Sequence, residues 1–241
     1  MQFASVSYPN ASWIATIPGM ARQYQQYCPV AHSLELVGER WALLIVRDLL
    51  KGPKRYSDLH AGLPGLGTNI LASRLKDLEE GGVVGKRKLP PPANVNVYEL
   101  TEYGAGLEEV IQALGRWGFR SLGPPPAGCA MPEGWLVQGA LTLFDPSRAG
   151  GITESYRVLC GDETATIRLA DAEIEAESGE AGEVDAVLEL DPGTLFALAS
   201  GDMDPADAVS HGLVKVEGDP AALGRFVSVF DAERSARAAA A

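Results

Sequence analysis

Residues 54–100 read KRYSDLHAGLPGLGTNILASRLKDLEEGGVVGKRKLPPPANVNVYEL, and this stretch decides the fold of the first half of the chain. It contains two short helical patterns separated by the turn sequence Pro-Gly-Leu-Gly at residues 64–67. Apolar side chains recur at helical spacing in the first pattern, at Tyr56, Leu59 and Leu63. The second pattern predicts a helix over residues 68–80, which a pair of glycines ends.

The predicted helix over residues 68–80 has two chemically different faces. Its apolar residues fall within one arc of a helical wheel: Ile70, Leu71, Leu75 and Leu78. The opposite side carries the amide, hydroxyl and ammonium groups of Asn69, Ser73 and Lys76. Such groups suit the major groove of DNA, where the base edges present distinguishable donors and acceptors. Arg74 lies at the apolar arc, so we expect it to snorkel or form an ion pair instead of contacting a base.

A basic hairpin follows this helix. Three consecutive cations at residues 86–88 precede a proline-rich tip, and residues 95–100 then alternate as a strand does. This pattern predicts a two-stranded wing whose cations contact the phosphate backbone. Together these elements indicate a winged helix-turn-helix that binds double-stranded DNA. The expected DNA-binding residues are Lys54, Arg55, Thr68, Asn69, Ser73, Lys76, Lys86, Arg87, Lys88 and Asn94.

Motifs on both sides of the turn make the pattern more specific. They are CPV at 28–30, LELVGERW at 34–41, RYSDL at 55–59, LKDLE at 75–79 and YELT at 98–101. Over about residues 27–122 the chain resembles the HxlR-type winged-helix transcriptional regulators, which are similar to the MarR group. The resemblance implies a homodimer that uses residues 68–80 for recognition. It also implies that the first helix and the helix after Thr101, with an apolar stripe from Leu107 to Trp117, build the dimer.

The cysteine in the CPV motif is a candidate redox sensor. The resemblance implies that a cysteine at the position of Cys28 senses oxidants or electrophiles. A thiol at a helix N-terminus is more readily ionised and therefore more reactive, which supplies a mechanism. The alternative is a small residue buried at a helical junction. Neither interpretation is excluded by the sequence.

Composition limits the other classes of function. Residues 1–122 carry 13 Lys/Arg and 11 Asp/Glu, a net charge of +2, whereas residues 123–241 carry 7 and 21, a net charge of −14. The acidic balance of the chain, −12, therefore comes from the second half. Cys28, Cys129 and Cys160 are too widely spaced for a metal site and favour a reducing, cytoplasmic location. No apolar run has the length of a membrane span. The three histidines lack catalytic partners, so we predict neither enzymatic activity nor a cofactor.

The second half predicts an α+β domain. A proline-rich linker at residues 123–130 precedes it, and residues 131–233 show a helix, three alternating strands, a fourth strand, two helices, a fifth strand and a last helix. Asp-Pro pairs at 191–192, 204–205 and 219–220 are typical of helix starts. The predicted fold class is therefore a mainly-α winged helix-turn-helix followed by an α+β domain with one antiparallel-rich sheet.

Three motifs in this half carry a second resemblance. They are ELDP at 189–192, SGDMDPADA at 200–208 and LVKVEGDPAAL at 213–223. Over about residues 135–231 the chain resembles the sterol-carrier-protein type 2 domain, which implies an apolar small molecule or lipid held between sheet and helices. The candidate lining residues are Trp135, Phe144, Leu195, Phe196, Leu198, Met203, Phe226 and Phe230. The alternative, that these side chains form a closed core, stays open.

The sequence thus predicts a homodimeric DNA-binding transcriptional regulator, with residues 20–122 as the winged-helix domain, that responds to an apolar ligand. A redox switch at Cys28, and a second domain that only supports the dimer, fit the same residues. A further alternative is a small-molecule-binding module whose winged helix mediates protein contacts. Residues 1–19 are expected to be a leader that is not translated if Met20 is the initiator, or else a short arm that contacts a partner subunit, and residues 234–241 a frayed tail.

Overall fold

The computed structural model describes residues 24–126, 128–129 and 131–230. The expectations for the leader at residues 1–19, for Met20 as the start and for the tail at residues 234–241 lie outside these residues. The chain divides into two compact units, with the boundary between Glu108 and Glu109. Each unit is built around its own buried apolar residues.

The first unit is a winged helix-turn-helix, as the sequence predicts. Its elements are α1 (Pro29–Val37), α2 (Ala42–Leu49), α3 (Tyr56–Gly62), α4 (Thr68–Glu80), β1 (Val84–Lys88), β2 (Asn96–Leu100) and α5 (Glu102–Ala105). Helix α4 has the predicted bounds, and Leu71, Leu75 and Leu78 bury its apolar side. Strands β1 and β2 pair antiparallel from Val84↔Leu100 to Lys88↔Asn96 and form the wing.

Several apolar residues of the first unit are exposed, including Ile70, which the sequence predicts in the buried stripe of α4. Ile70 is 46% exposed because the buried arc of α4 is narrower than the wheel suggested. Leu44 in α2 is also exposed, although its neighbour Ile45 is fully buried. On α1, Val30 and Leu34 lie in solvent while Val37 is buried. Periodicity identified the apolar positions correctly but did not show how much of each stripe the unit itself covers.

The helix predicted to follow Thr101 is two helices. Thr101 Oγ1 accepts a hydrogen bond from Gly104 N at 3.0 Å and caps the four-residue α5. Helix α6 (Glu108–Phe119) then begins separately. The backbone of Gly104 lies close to the residue before β1, since a Cβ added there would lie 2.0 Å from Val83 O.

The second unit is an α+β domain with the predicted order of elements. After α6 these are α7 (Trp135–Leu143), β3 (Glu154–Cys160), β4 (Glu163–Ala170), β5 (Glu173–Ser178), β6 (Ala186–Leu190), α8 (Pro192–Ala199), α9 (Pro205–Ser210), β7 (Val214–Gly218) and α10 (Ala222–Ser228). The five strands have the order β5-β4-β3-β6-β7. Only the pair of β3 with β6 is parallel, so the sheet is antiparallel-rich as predicted.

Helices cover one face of this sheet and close the core of the unit. Alternate residues of β3 are buried, namely Tyr156, Val158 and Cys160, as expected for a sheet packed on one side. Two of the predicted Asp-Pro starts cap their helices: Asp191 accepts bonds from Gly193 N and Thr194 N, and Asp204 from Ala206 N. Helix α10 begins two residues after the third pair, and Ala221 is its N-cap.

Candidate nucleic-acid interface

Helix α4 presents a polar face to solvent, as the sequence predicts. Asn69, Ser73 and Lys76 are all exposed, as is Thr68 at the start of the helix. The opposite side is fixed in the core by the three leucines named above, so the helix cannot rotate without exposing them. Tyr56 on α3 donates a hydrogen bond from its hydroxyl to Thr68 O at 2.7 Å. This bond holds the start of α4 against the helix before the turn.

Arg74 forms the ion pairs expected from its position on the wheel. Its guanidinium contacts Asp77 at 2.6 Å and Glu39 at 3.0 Å. Because Asp77 lies one turn further along α4 and Glu39 lies before α2, Arg74 links two parts of the unit. The side chain is only 19% exposed. The positive charge of Arg74 is therefore paired with carboxylates of its own domain.

The wing divides its three cations between two faces. Side chains alternate along a strand, and the register places Lys86 opposite Tyr98 and Lys88 opposite Asn96. Lys86 Nζ lies 5.5 Å from the centroid of the Tyr98 ring, a cation–π distance. All three cations of β1 are exposed. Lys86 and Lys88 thus form one basic face, while Arg87 belongs to the other.

Arg87 is held by a carboxylate of the neighbouring strand. Its Nε and one terminal nitrogen donate to the two oxygens of Glu99 at 2.8 and 2.7 Å, which is a bidentate ion pair. The hydrogen bond from Arg87 lowers the pKa of the Glu99 carboxyl, so this carboxylate stays ionised at neutral pH. Arg87 therefore reaches a phosphate only in competition with Glu99.

The other predicted DNA-binding residues surround this wing and the start of α3. Lys54 pairs with Tyr98 through two backbone hydrogen bonds of 2.9 and 2.8 Å, so it adds a one-residue strand to the outer edge of β2. Arg55 is the N-cap of α3 and is exposed. Asn94 adopts a left-handed conformation with φ of 44° in the loop between the wing strands, and it too is exposed.

The three cysteines lie in different environments. Cys28 is the N-cap residue of α1 and is partly buried, which matches the predicted place at a helix N-terminus. Cys129 is exposed. Cys160 is fully buried in β3, and burial raises the pKa of its thiol to about 12, so this thiol is unreactive at neutral pH.

The predicted ligand-lining residues of the second unit divide by burial. Leu198, Phe226 and Phe230 are buried in its core, where the ring of Phe226 packs against those of Tyr156 and Phe230 at 5.0 Å each. The other five are partly buried: Trp135, Phe144, Leu195, Phe196 and Met203. All eight therefore contribute to packing, and their role as a ligand site stays a prediction.

A surface cleft in this unit has a volume of about 560 Å³. It is lined by Gln112, Arg116, Leu141, Phe144, Asp145, Pro146 and Ile174. Phe144 alone among these belongs to the predicted lining set. The sequence reasoning missed Gln112 and Arg116, although their spacing of four residues on the side of α6 opposite its apolar stripe was a readable signal.

Residues 24–126, 128–129 and 131–230 contain no group of three or more His, Cys, Asp or Glu side chains arranged to bind a metal ion. Within the same residues, every helix is too short or too polar to cross a lipid bilayer.

Two known protein families match different parts of the chain. Residues 36–124 match the model of the HxlR-like helix-turn-helix family, and residues 145–231 match that of the SCP-2 sterol transfer family. Neither family is a family of enzymes.

Two regulators of Bacillus subtilis are each similar to about two fifths of this chain. The chain is 35% identical over 103 residues to the HTH-type transcriptional regulator YodB of Bacillus subtilis, covering 42% of this chain and 92% of YodB. It is 36% identical over 101 residues to the uncharacterized regulator YvaP of the same organism, covering 41% and 93%. The solved structure of reduced YodB from B. subtilis aligns with a TM-score of 0.36 at 35% identity, covering 39% of this chain and 94% of that one.

The match to YodB spans nearly the whole of that regulator. The HxlR-like family model matches residues 36–124, which contain α3, α4 and the wing. The chain therefore belongs to the HxlR-like helix-turn-helix family of transcriptional regulators, and its residues 145–231 match the SCP-2 sterol transfer family.

Proposed function

We propose that this protein is a homodimeric transcriptional regulator that binds operator DNA through α4 and the wing and responds to an apolar ligand in its second domain. The observation that carries the proposal is the exposed polar face of α4, formed by Asn69, Ser73 and Lys76, beside a wing with two exposed lysines. Groups of these kinds bind base edges and phosphates, respectively. Because DNA is the target, we place the protein in the cytoplasm.

Exposed apolar side chains on two helices support the homodimer. Val30 is 66% exposed on α1, and Leu34 lies one turn further along the same helix. On α6, Val110, Leu114 and Trp117 are exposed at helical spacing, with Trp117 at 70%. Apolar surface of this kind is stabilised when a second subunit covers it. Two-fold symmetry would also double the number of DNA contacts.

The match to the SCP-2 family supports an apolar ligand as the signal, because the half of the chain that follows the DNA-binding motif is then a ligand-binding domain. Oxidation of Cys28 is the alternative signal. It is supported by the position of Cys28 at the N-cap of α1 and by the likeness to YodB, which has been solved in a reduced form. Mass spectrometry of the natively purified protein distinguishes these two signals. If an apolar ligand is the signal, an apolar molecule copurifies with the protein, whereas oxidation leaves an oxidised Cys28.

Sequencing the genomic DNA fragments that the purified full-length protein selects tests the DNA-binding function. We expect an inverted repeat whose half-sites are about 34–36 Å apart, as a two-fold dimer requires. Selection of no sequence would favour the alternative in which the winged helix mediates protein contacts. A single unrepeated site would contradict the homodimer.

Replacing Lys86 and Lys88 by alanine is expected to weaken binding to the selected DNA and to flatten its dependence on salt. Each lost phosphate contact should reduce the slope of log K against log salt by about 0.9, hence by about 2 per protomer. A filter-binding titration at several salt concentrations measures both quantities. An unchanged slope would show that the basic face of the wing does not contact phosphates.

Replacing Glu99 by glutamine is expected to have the opposite effect, because it frees Arg87 from its ion pair. We expect affinity for the same DNA to rise about two- to fivefold and the salt dependence to steepen. Glu102→Gln is the matched control, since Glu102 is an exposed carboxylate with no ion pair to any described residue. Equal gains in the two variants would mean that net charge, and not Arg87, is responsible.

A further inference from the structure

The cleft in the second unit joins α6 to the α+β domain. Gln112 and Arg116 come from α6, Leu141 from α7 and Ile174 from the edge strand β5. Its volume of about 560 Å³ lies within the range of small-molecule sites. Helix α6 is part of the HxlR match at residues 36–124, yet from Glu109 onward it belongs to the second compact unit.

Three contacts hold α6 against the rest of this unit. The backbone of Gly115 approaches α7 so closely that an added Cβ would lie 2.7 Å from Thr142 Cγ2. Arg116 donates a hydrogen bond to Thr142 O at 3.3 Å. At the end of the helix, the rings of Phe119 and Phe196 lie 5.3 Å apart. Movement of α6 would therefore disturb both α7 and α8.

The cleft combines an apolar floor with one available cation. Leu141, Phe144, Pro146 and Ile174 supply the apolar surface. Arg116 forms no ion pair with any residue in the part of the chain that the structure describes, and its hydrogen bond to Thr142 O goes to a neutral carbonyl oxygen. The carboxylate of the cleft, Asp145, is already engaged, because it accepts bonds from Ser147 N and Oγ and pairs with Arg148 at 3.3 Å.

We propose that this cleft binds a small amphipathic carboxylate, with its carboxylate on the guanidinium of Arg116 and its apolar part on the floor, and that binding shifts α6 relative to α7. An arginine can hold a carboxylate by two parallel hydrogen bonds, which gives the site its preference for an anion. The site differs from the apolar core of the SCP-2 domain, because α6 supplies two of its polar side chains. The effect of the ligand on DNA binding rests on the function proposed above, whereas the binding site does not.

Isothermal titration calorimetry of the full-length protein with 2-naphthoate tests the site, and the neutral 2-naphthalenemethanol is the comparison. We expect the wild-type protein to bind the acid more tightly than the alcohol. Arg116→Gln should weaken binding of the acid at least about tenfold and change binding of the alcohol less than about twofold. Arg120→Gln, which removes an exposed arginine outside the cleft, should change neither. Arg116→Lys should restore part of the affinity for the acid.

A second variant keeps the test decisive if Arg116→Gln fails to fold. Ile174→Trp fills the floor of the cleft without altering Arg116, and it should weaken binding of both compounds. No binding of 2-naphthoate to the wild type would overturn the proposal. Unchanged affinity of Arg116→Gln for 2-naphthoate would also overturn it. So would equal losses of this affinity in Arg116→Gln and Arg120→Gln.

The proposed effect of the ligand on DNA binding is tested by a separate measurement. If α6 moves, saturating 2-naphthoate should change the affinity of the wild-type protein for the selected DNA at least about threefold, which is an ordinary size for coupling between two sites. The affinity of Ile174→Trp for the same DNA should stay unchanged. Calorimetric binding with unaltered DNA affinity would overturn the coupling and leave the site standing. A protein that binds 2-naphthoate but selects no DNA would refute the proposed function and not the site.

Discussion

Replacing Lys76 by glutamate is expected to weaken operator binding by at least about 100-fold while the fold stays intact. The Lys76 side chain is 73% exposed on the polar face of α4, where its ammonium would lie against base edges or phosphates. Loss of a good base contact costs about 1–3 kcal/mol, and a dimer loses it in both half-sites. The reversed charge adds repulsion from the phosphates. Fluorescence anisotropy with labelled operator measures the loss, and circular dichroism checks the fold.

Lys215→Glu is the matched control for this change. Lys215 is 64% exposed on β7 of the second unit and, like Lys76, contacts carboxylates at the surface, here Glu189 and Glu217. The two variants have the same net charge, so a general electrostatic effect would weaken both alike. We expect Lys215→Glu to bind within about threefold of the wild type. Similar losses of DNA affinity in both variants would mean that α4 does not contact the DNA.

Gly115→Val is expected to lower the free energy of unfolding of the second unit by about 1–3 kcal/mol, because it overpacks the contact between α6 and α7. Thr142 is buried, and its Cγ2 is bonded directly to Cβ, so it cannot move away from the new side chain without rotation about χ1. Thermal and urea unfolding of the full-length protein measures the change, followed by tryptophan fluorescence, to which Trp117 and Trp135 of this unit contribute.

Gly118→Ala provides the comparison on the same helix. A Cβ at residue 118 would meet no atom within 4 Å, so only the higher helix propensity of alanine acts there. We expect the stability to be unchanged or to rise by up to about 1 kcal/mol. A Gly115→Val variant as stable as Gly118→Ala would show that α6 does not pack on α7 through this glycine.

The elements of both domains could be predicted from the sequence because their signals are local. A helical period bounded by a turn and a glycine pair defined α4 to the residue, and alternation defined the two strands of the wing. The Asp-Pro pairs at 191–192 and 204–205 marked two helix starts. The exposure of Asn69, Ser73 and Lys76 also followed from the period, since the buried leucines leave that side of the helix to solvent.

Other features depended on residues that are distant in the sequence. The pairing of Arg87 with Glu99 required the register of two strands, and the close contact of Gly115 with Thr142 required the packing of two helices. The amino-acid order thus determines which segments become helices and strands and which chemical groups they carry, because those preferences act within one or two turns of chain. The tertiary structure alone decides which cations remain available and where α6 attaches, because long-range packing brings those partners together.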